Sequence, residues 1–287
     1  MGFRYYSLAI ITENIKADLH THTNYSDGAM SPEQLVIRAK EAGLSYLSIT
    51  DHDNVEAIDE AIETAASVGI EIVPGIELSS EHNGREVHVL GYFLNYKDQN
   101  FLNHIKHFRE ERFKRAQLIV DKLNEQGIKI SFDSVLSQVK GNTSIGRPHI
   151  AIALLEAGYI DSYIEAFGRF LGEGKSAYVK KPNLTTQEAI KLIAQSGGLS
   201  FIAHPGKNFR ENDLIQAIEF GVDGIEVIHP SHSQTDTEYF RRITQQYFLL
   251  ESGGSDFHGG RINSESVLGR FFVSEQLVVS MKNRLFN

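Results

Sequence analysis

The chain of 287 residues contains no cysteine and carries a formal charge of −9, because 37 acidic residues outweigh 28 lysines and arginines. Disulfides and thiolate metal ligands are therefore excluded, and binding to long duplex nucleic acid is not favoured, although bound cations can reverse the sign of charge at an acidic site. The apolar stretch nearest the N-terminus, residues 8–11, is too short for a signal sequence or a membrane span, so we expect a cytoplasmic protein without a membrane partner.

The first part of the chain alternates between predicted strands and helices. Residues 1–15 precede this pattern as an N-terminal extension, for which the sequence indicates no function. The apolar run at 15–19 predicts a first strand, and Ser31 followed by Pro32 is typical of the start of a helix. Further strands are predicted at 44–50, 70–76 and 86–94, with a helix at 55–68 and a hairpin turn at Asn83-Gly84.

A helical segment then interrupts the alternation, and we expect residues 98–182 to form an insertion with helices at 101–126, 132–139, 147–157 and 160–170. The alternation resumes with helices at 186–195, 213–220 and 235–247 and strands at 198–203, 224–228 and 248–250. Strands joined through helices are parallel, so the pattern predicts an α/β barrel of seven strands, formed by residues 16–97 and 183–287. The site of such a barrel lies at the carboxyl ends of its strands.

Residues that bind metals follow most of the predicted strands. His20 and His22 share one face at the end of the first strand, but such a pair alone is weak evidence for a metal site. Seven further candidates complete a set of His20, His22, Asp27, His52, Glu77, His88, His204, Asp256 and His258. Nine nitrogen and oxygen donors at one rim suffice for two or three divalent cations, and manganese, zinc and iron(II) are all compatible with them.

Seven short motifs contain these candidate ligands. They are Asp18-Leu-His-Thr-His22, Ser26-Asp-Gly28, Thr50-Asp-His-Asp53, Gly75-Ile-Glu77, His88-Val-Leu-Gly91, Ala203-His-Pro205 and Ser255-Asp-Phe-His258. Together they resemble the motifs of the PHP (polymerase and histidinol phosphatase) family of metal-dependent phosphoesterases. The resemblance implies a distorted (β/α)7 TIM-like barrel, the PHP fold, and a trinuclear metal centre in which Mn²⁺ is the favoured cation and Zn²⁺ or Fe²⁺ the alternatives.

The resemblance also implies how the ligands divide among the cations. One cation is held by His20, His22, Glu77 and Asp256. Glu77 bridges to a second cation, which His88 and His204 complete, and Asp27, His52 and His258 hold the third.

Two further segments, Gly146-Arg-Pro-His149 and Glu226-Val-Ile-His-Pro230, are similar to one branch of stand-alone PHP proteins. That branch includes nucleoside 3′,5′-bisphosphate phosphatases and the 5′-3′ exoribonuclease RNase AM. It implies a phosphoric ester hydrolase for small phosphorylated nucleotides or short RNA 5′ ends, in which a metal-activated hydroxide attacks phosphorus. The reactions are removal of the 3′-phosphate from nucleoside 3′,5′-bisphosphates and stepwise hydrolysis of RNA from its 5′ end.

Three alternatives stay open. A histidinol-phosphate-type phosphomonoesterase would use the same scaffold. A metal-assisted amidohydrolase is the second, and it would be favoured by a carbamylated lysine at a strand end, but no lysine occurs in the strand-end clusters. A degenerate module that only stabilises a partner is disfavoured because such modules usually lack part of the ligand set.

Five other residues are candidates for substrate chemistry. His229 and Asp51 are predicted acid–base groups, with a turn or helix cap as the alternative role for Asp51. Arg147, His149 and His232 are predicted to contact a substrate phosphate, with a surface ion pair as the alternative for Arg147. The sequence does not predict the oligomeric state.

Overall fold

The computed structural model describes residues 15–139, 143–180, 184–206, 209, 211–260 and 267–286. Its strands are β1 (Lys16–Thr21), β2 (Tyr46–Ile49), β3 (Glu71–His82), β4 (Arg85–Tyr92), β5 (Leu184–Thr185), β6 (Leu199–Ile202), β7 (Gly224–Ile228), β8 (Leu250–Gly253) and β9 (Val273–Ser274). Its helices are α1 (Pro32–Glu41), α2 (Ile58–Val68), α3 (Gln99–Glu125), α4 (Phe132–Leu136), α5 (Arg147–Glu156), α6 (Tyr163–Ala166), α7 (Thr186–Gln195), α8 (Glu211–Glu219), α9 (Gln234–Gln246) and α10 (Glu275–Phe286), with a π-helical turn at Phe167–Leu171. Apart from Ile15, the predicted N-terminal extension lies outside the described residues.

The described strands form one sheet in the order β8-β7-β6-β4-β3-β2-β1-β9, with β5 beside β3. Its two ends meet where the backbone N–H of Asp256 donates to the carbonyl of His20 and that of His22 donates to the carbonyl of Phe257, both at 2.9 Å. These bonds bring β8 alongside β1 and nearly close the sheet. The predicted α/β barrel is therefore confirmed.

One barrel strand runs in the opposite direction to the others. β1, β2 and β3 are parallel, as are β6, β7 and β8, but β4 is antiparallel to both of its neighbours. The rule that strands joined through helices are parallel does not apply to this strand, which follows a hairpin turn. The predicted hairpin explains why, because a tight turn at Asn83-Gly84 reverses the chain, whereas a parallel partner needs a crossover of about a dozen residues or more.

β3 continues well beyond the point at which the sequence predicts its end. β2 pairs with β3 only as far as Ile49 and Pro74, and from Gly75 onward β3 pairs with β4, joined near its end by β5. The hairpin of β3 and β4 therefore extends past the end of β2. As a result, Glu77 and His88 present their side chains from within strands rather than from loops.

The barrel is covered by helices that bury one apolar face each. In α1, Ser31 caps the first turn and Pro32 opens it, as predicted, and Leu35, Val36 and Ala39 are buried. The sequence did not predict α10, which packs under β1, β8 and β9 with Val278 and Met281 buried.

The helices between β4 and β5, here called the helical insertion, have a hydrophobic core of their own. Its buried members run from Ala116 on α3 to Ala177, and all of them lie between these two positions in the chain. The predicted helices of this segment occur close to their predicted positions.

Within the described part of the chain, no helix combines the length and the apolar composition needed to cross a membrane.

Two adjacent leucines of α5 test this second core. Leu154 is fully buried in the insertion core, whereas Leu155 is 39% exposed. Leu154→Ala is expected to lower the free energy of unfolding by about 3 kcal/mol, because it removes buried methyl groups and leaves a cavity, and Leu155→Ala by less than about 1 kcal/mol. Urea unfolding followed by circular dichroism measures both values. Equal effects of the two substitutions would contradict the described packing.

Candidate metal centre

Histidine rings from five different strands or strand ends converge at the carboxyl rim of the barrel. Neighbouring ring centroids are 4.3 Å apart for His22 and His258, 4.8 Å for His22 and His52, and 5.3 Å for His88 and His204. The carboxylates of Asp27, Glu77 and Asp256 lie among these rings. The structure thus brings together all nine residues that the sequence proposes as ligands.

Four of these side chains point one atom each at a common centre. The Nε2 atoms of His20 and His22 are 3.2 Å apart, and they lie 3.4 and 3.3 Å from Oε2 of Glu77. Oδ1 of Asp256 is 3.3 Å from His20 Nε2 and 3.0 Å from His22 Nε2. Ligands at about 2.0–2.2 Å from a tetrahedral cation are about 3.3–3.6 Å apart, so these spacings suit a single divalent cation.

The second oxygen of Glu77 faces two other histidines. Oε1 lies 2.8 Å from Nδ1 of His88 and 3.0 Å from Nε2 of His204. One carboxylate therefore contacts two separate groups of imidazoles through its two oxygens. This arrangement allows Glu77 to bridge two cations.

The third group lies on the other side of His22. Oδ1 of Asp27 is 3.3 Å from Nε2 of His258, and Oδ2 is 3.8 Å from Nε2 of His52. Two histidines also connect this group to the Glu77 carboxylate. His22 directs Nδ1 towards Asp27 at 3.9 Å, and His52 directs Nδ1 towards Glu77 at 3.1 Å.

Buried atoms without hydrogen bonds support a fit to cations. In the described part of the chain, Glu77 Oε2, Asp256 Oδ1, His52 Nδ1 and His88 Nδ1 are buried and make no hydrogen bond. A buried polar atom without a partner costs about 1–3 kcal/mol. Bound cations would contact three of these atoms, Glu77 Oε2, Asp256 Oδ1 and His88 Nδ1, so the residues present fit a metal centre of nitrogen and oxygen ligands.

The ionisable side chains of the centre form ion pairs with one another. Burial lowers the pKa of His88, but the carboxylates of Glu77 and Glu86 together have the larger effect and raise this pKa to about 10. Burial also lowers the pKa of His258, but Asp27 and Asp256 together have the larger effect and raise this pKa to about 10. At His52 burial dominates and lowers the pKa to about 3, so this ring is neutral.

Two buried carboxylates that are not candidate ligands hold the ligands in position. Glu226 on β7 is 2.9 Å from Nδ1 of His20 through Oε1, and its Oε2 accepts the backbone N–H of His204 at 2.6 Å. A carboxylate on one ring nitrogen fixes the other towards the centre. Asp18 accepts the backbone N–H groups of His20 and Ser255. Sequence reasoning assigned no role to Glu226 or Asp18, and the available signal was a carboxylate within an apolar strand.

The backbone at the rim is strained where ligands leave their strands. His204 and Asp256 have φ values of 26° and 51°, in the left-handed region that side chains rarely adopt. Beside them, a Cβ on Gly254 would lie 2.4 Å from the backbone nitrogen of His20. Only glycine therefore allows β8 to approach β1 this closely.

The two predicted acid–base residues occupy different positions. His229 is adjacent to the centre, with Nε2 3.4 Å from Oδ2 of Asp256 and Nδ1 2.7 Å from the hydroxyl of Ser231. Both Asp51 oxygens instead accept hydrogen bonds from the loop after β1, from the backbone N–H and hydroxyl of Thr23 and from the hydroxyl of Ser26. Asp51 therefore fixes this loop, which favours the turn role over acid–base chemistry.

Only one of the three predicted phosphate contacts faces an open cavity. A cavity of about 650 Å³ adjoins the centre and is lined by Arg147, His88, His204, Ser231 and Glu86, among others. Arg147 Nη2 donates to Glu86 Oε2 at 2.8 Å. The guanidinium also lies 5.9 Å from the centre of the Phe167 ring.

His149 and His232, two of the predicted phosphate contacts, use both ring nitrogens within the protein. His149 is buried, its Nδ1 accepts the backbone N–H of Gly146, and its Nε2 is 2.9 Å from the carbonyl of Ser26. In His232, Nδ1 is 3.0 Å from the carbonyl of Val227, and Nε2 accepts the N–H of Gly206. Because both nitrogens of each ring are engaged within the protein, neither ring has a donor to offer a phosphate.

The chain resembles known proteins along most of its length. The family model for the PHP domain matches residues 18–198. A 5′-3′ exoribonuclease of Haemophilus influenzae is 35% identical over 249 residues, covering 85% of this chain and 90% of the relative. A 3′,5′-nucleoside bisphosphate phosphatase of Chromobacterium violaceum is 33% identical over 253 residues, covering 85% and 89%. A solved structure from Bifidobacterium adolescentis, described as a candidate metal-dependent phosphoesterase, matches with a TM-score of 0.87 and 32% identity over 93% of this chain and 95% of that one.

Cation binding by the metal-free protein is expected to release protons. With pKa values of about 10, His88 and His258 are both protonated at neutral pH, and each must lose a proton to become a ligand. The affinity for Mn²⁺ should therefore fall as the pH is lowered below this range. Calorimetric titration in buffers of different ionisation enthalpy measures the protons released. Binding without proton release, or tighter binding at lower pH, would contradict the described ion pairs.

Proposed function

The chain belongs to the PHP domain family, and from that premise we propose that it hydrolyses the ester at the 3′-phosphate of nucleotides that carry a 5′-phosphate. Its substrates would be nucleoside 3′,5′-bisphosphates and the 5′ ends of short RNA, a proposal supported by relatives named as a 3′,5′-nucleoside bisphosphate phosphatase and a 5′-3′ exoribonuclease. The predicted family and PHP fold are confirmed, and so is the enzyme class, a metal-dependent phosphoesterase.

We assign the nine predicted ligands to two or three divalent cations, with Mn²⁺ favoured among those that accept nitrogen and oxygen donors. Glu77 would bridge the group of His20, His22 and Asp256 and the group of His88 and His204. Asp27, His52 and His258 would hold the third cation. Cations bound at these positions would supply an acidified water as nucleophile and would neutralise charge on the phosphoryl oxygens.

His229 is the residue of this chain placed to move a proton. Its Nε2 lies beside Asp256 at the edge of the centre, and the contact of its Nδ1 with Ser231 fixes the ring. We assign to it the proton donated to the leaving oxygen when the 3′ ester breaks. Asp51 would contribute only by holding the loop that carries Asp27.

The observation that carries the substrate assignment is the position of Glu86. One of its oxygens accepts from Arg147, and the other lies 3.8 Å from Nε2 of the candidate ligand His88. Only one carboxylate, that of Glu86, therefore lies between the Arg147 guanidinium and the ring of His88. That spacing suits two phosphates on one ribose, with the 5′-phosphate replacing Glu86 at Arg147 and the 3′-phosphate at the centre.

The predicted cytoplasmic location, the absence of a membrane partner and the exclusion of long duplex nucleic acid all stay predictions.

A panel of phosphoesters tests the proposed reaction in protein reconstituted with Mn²⁺. Adenosine 3′,5′-bisphosphate is expected to release its 3′-phosphate, and 5′-phosphorylated oligoribonucleotides to lose nucleotides from the 5′ end, whereas histidinol phosphate should react far more slowly. Asp27→Ala and His258→Ala should abolish both activities because each removes a candidate ligand. Undiminished hydrolysis by either folded variant, or a preference for histidinol phosphate, would disprove the assignment.

Arg147→Ala separates phosphate recognition from the chemical step. Loss of a charge-assisted contact should lower kcat/KM for a 5′-phosphorylated RNA roughly 10–100-fold and leave the slower reaction of its 5′-hydroxyl counterpart nearly unchanged. Arg169→Ala is the matched control, since Arg169 is exposed in the same insertion and pairs with Glu165. Equal losses on both RNAs after Arg147→Ala would show that Arg147 does not recognise the 5′-phosphate.

A further inference from the structure

Two ligands of the proposed centre lie on loops that follow barrel strands, and the loop after β2 also bonds β3 through the N–H of Asp53, which donates to the carbonyl of Glu77 at 3.0 Å. Asp27 belongs to the loop after β1 and His52 to the loop after β2, whereas Glu77 and His88 lie within strands. The two loops bind each other, because Asn54 Nδ2 donates to the carbonyl of Tyr25 at 2.8 Å. They therefore behave as one unit at the rim.

The helical insertion contacts the second loop through a buried ion pair. Arg112 on α3 donates from Nε to Oδ2 of Asp53 at 2.6 Å, and from Nη2 to the hydroxyl of Ser79 at 2.7 Å. Asp53 Oδ1 also accepts the backbone N–H of Ser79. Asp53, which directly follows His52, has a left-handed φ of 48° and is fixed there by these bonds.

The insertion also binds three consecutive carbonyls of the first loop. The hydroxyl of Thr143 donates to the carbonyl of Asn24 at 2.9 Å, and the N–H of Ser144 donates to that of Tyr25 at 3.0 Å. His149 completes the row. Because its Nδ1 accepts from Gly146, its Nε2 carries the proton and donates to the carbonyl of Ser26 at 2.9 Å.

These contacts end immediately before Asp27 and immediately after His52. We propose that Arg112 and His149 are positioning residues, through which the insertion holds Asp27 and His52 in place for the third cation. Glu77 and His88, in contrast, are held within the ladder of β3 and β4. The inference rests on the proposed metal centre, but not on the identity of the substrate.

Mn²⁺ binding by the full chain tests this assignment independently of hydrolysis. Equilibrium dialysis with metal analysis gives the number of bound Mn²⁺ ions and the affinity for each. The ion that Asp27→Ala no longer binds is the one that needs the ligands on the two loops. Arg112→Ala and His149→Ala should weaken the binding of that same ion by about 10–100-fold and leave the affinities for the other ions unchanged. Arg112→Lys, which keeps the charge near Asp53, should restore part of the affinity, and Arg169→Ala should have no effect.

Three results would overturn the proposal. The first is that the folded Arg112→Ala and His149→Ala proteins bind every Mn²⁺ ion with wild-type affinity. The second is that these substitutions weaken the binding of all the ions equally. The third is that Asp27→Ala binds as many Mn²⁺ ions as the wild-type protein does. If the alanine variants do not fold, Arg112→Lys and His149→Gln replace them, because each keeps one of the two hydrogen bonds of the residue it replaces. Failure of the wild type to hydrolyse the phosphoester panel would refute the proposed substrate without affecting this test.

Discussion

The rim of this barrel depends on one buried carboxylate. Glu77 contacts five histidines, from His88 at 2.8 Å to His20 at 3.4 Å, and its two oxygens serve different groups of them. Its position follows from β3, which continues past the end of β2 and carries Glu77 on an ordered ladder with β4. Because Glu77 cannot shift along this ladder, the histidines of the surrounding strand ends are arranged around a fixed charge.

The residues around Glu77 include buried charges and strained backbone, both of which are energetically costly. Carboxylates and imidazoles are buried together, and two ligands, His204 and Asp256, have left-handed backbone conformations. Charged groups are costly to bury unless they are paired, and here the pairing extends outward to Glu226 behind His20 and to Arg112 behind the loop of His52. The helical insertion therefore does more than cover a cavity, since its buried arginine and histidine contact the loops that complete the rim.

The sequence was sufficient to predict the barrel and the membership of the rim. Strand ends in an α/β barrel meet at one face, so His20, His52 and His258 were correctly expected to lie together. Glu77 was expected just after a strand that ends at residue 76, but β3 continues past it, whereas His88 lies within β4, as the strand predicted at 86–94 implies. The roles of His149 and Asp51 depend on hydrogen bonds, and one of the two partners of the His149 ring, Ser26, lies 123 residues away in the chain. Local spacing contains no information about such a partner, so a phosphate contact was predicted where the structure has an internal bond.

The central claim is that the Glu77 carboxylate joins two cation sites. Anomalous X-ray scattering from crystals equilibrated with Mn²⁺ tests it most directly, because it locates the cations without reference to activity. The account predicts manganese on both sides of Glu77, one ion within reach of His20, His22 and Asp256 and another within reach of His88 and His204. Manganese bound only away from Glu77, or its absence from crystals of the folded protein, would contradict the account.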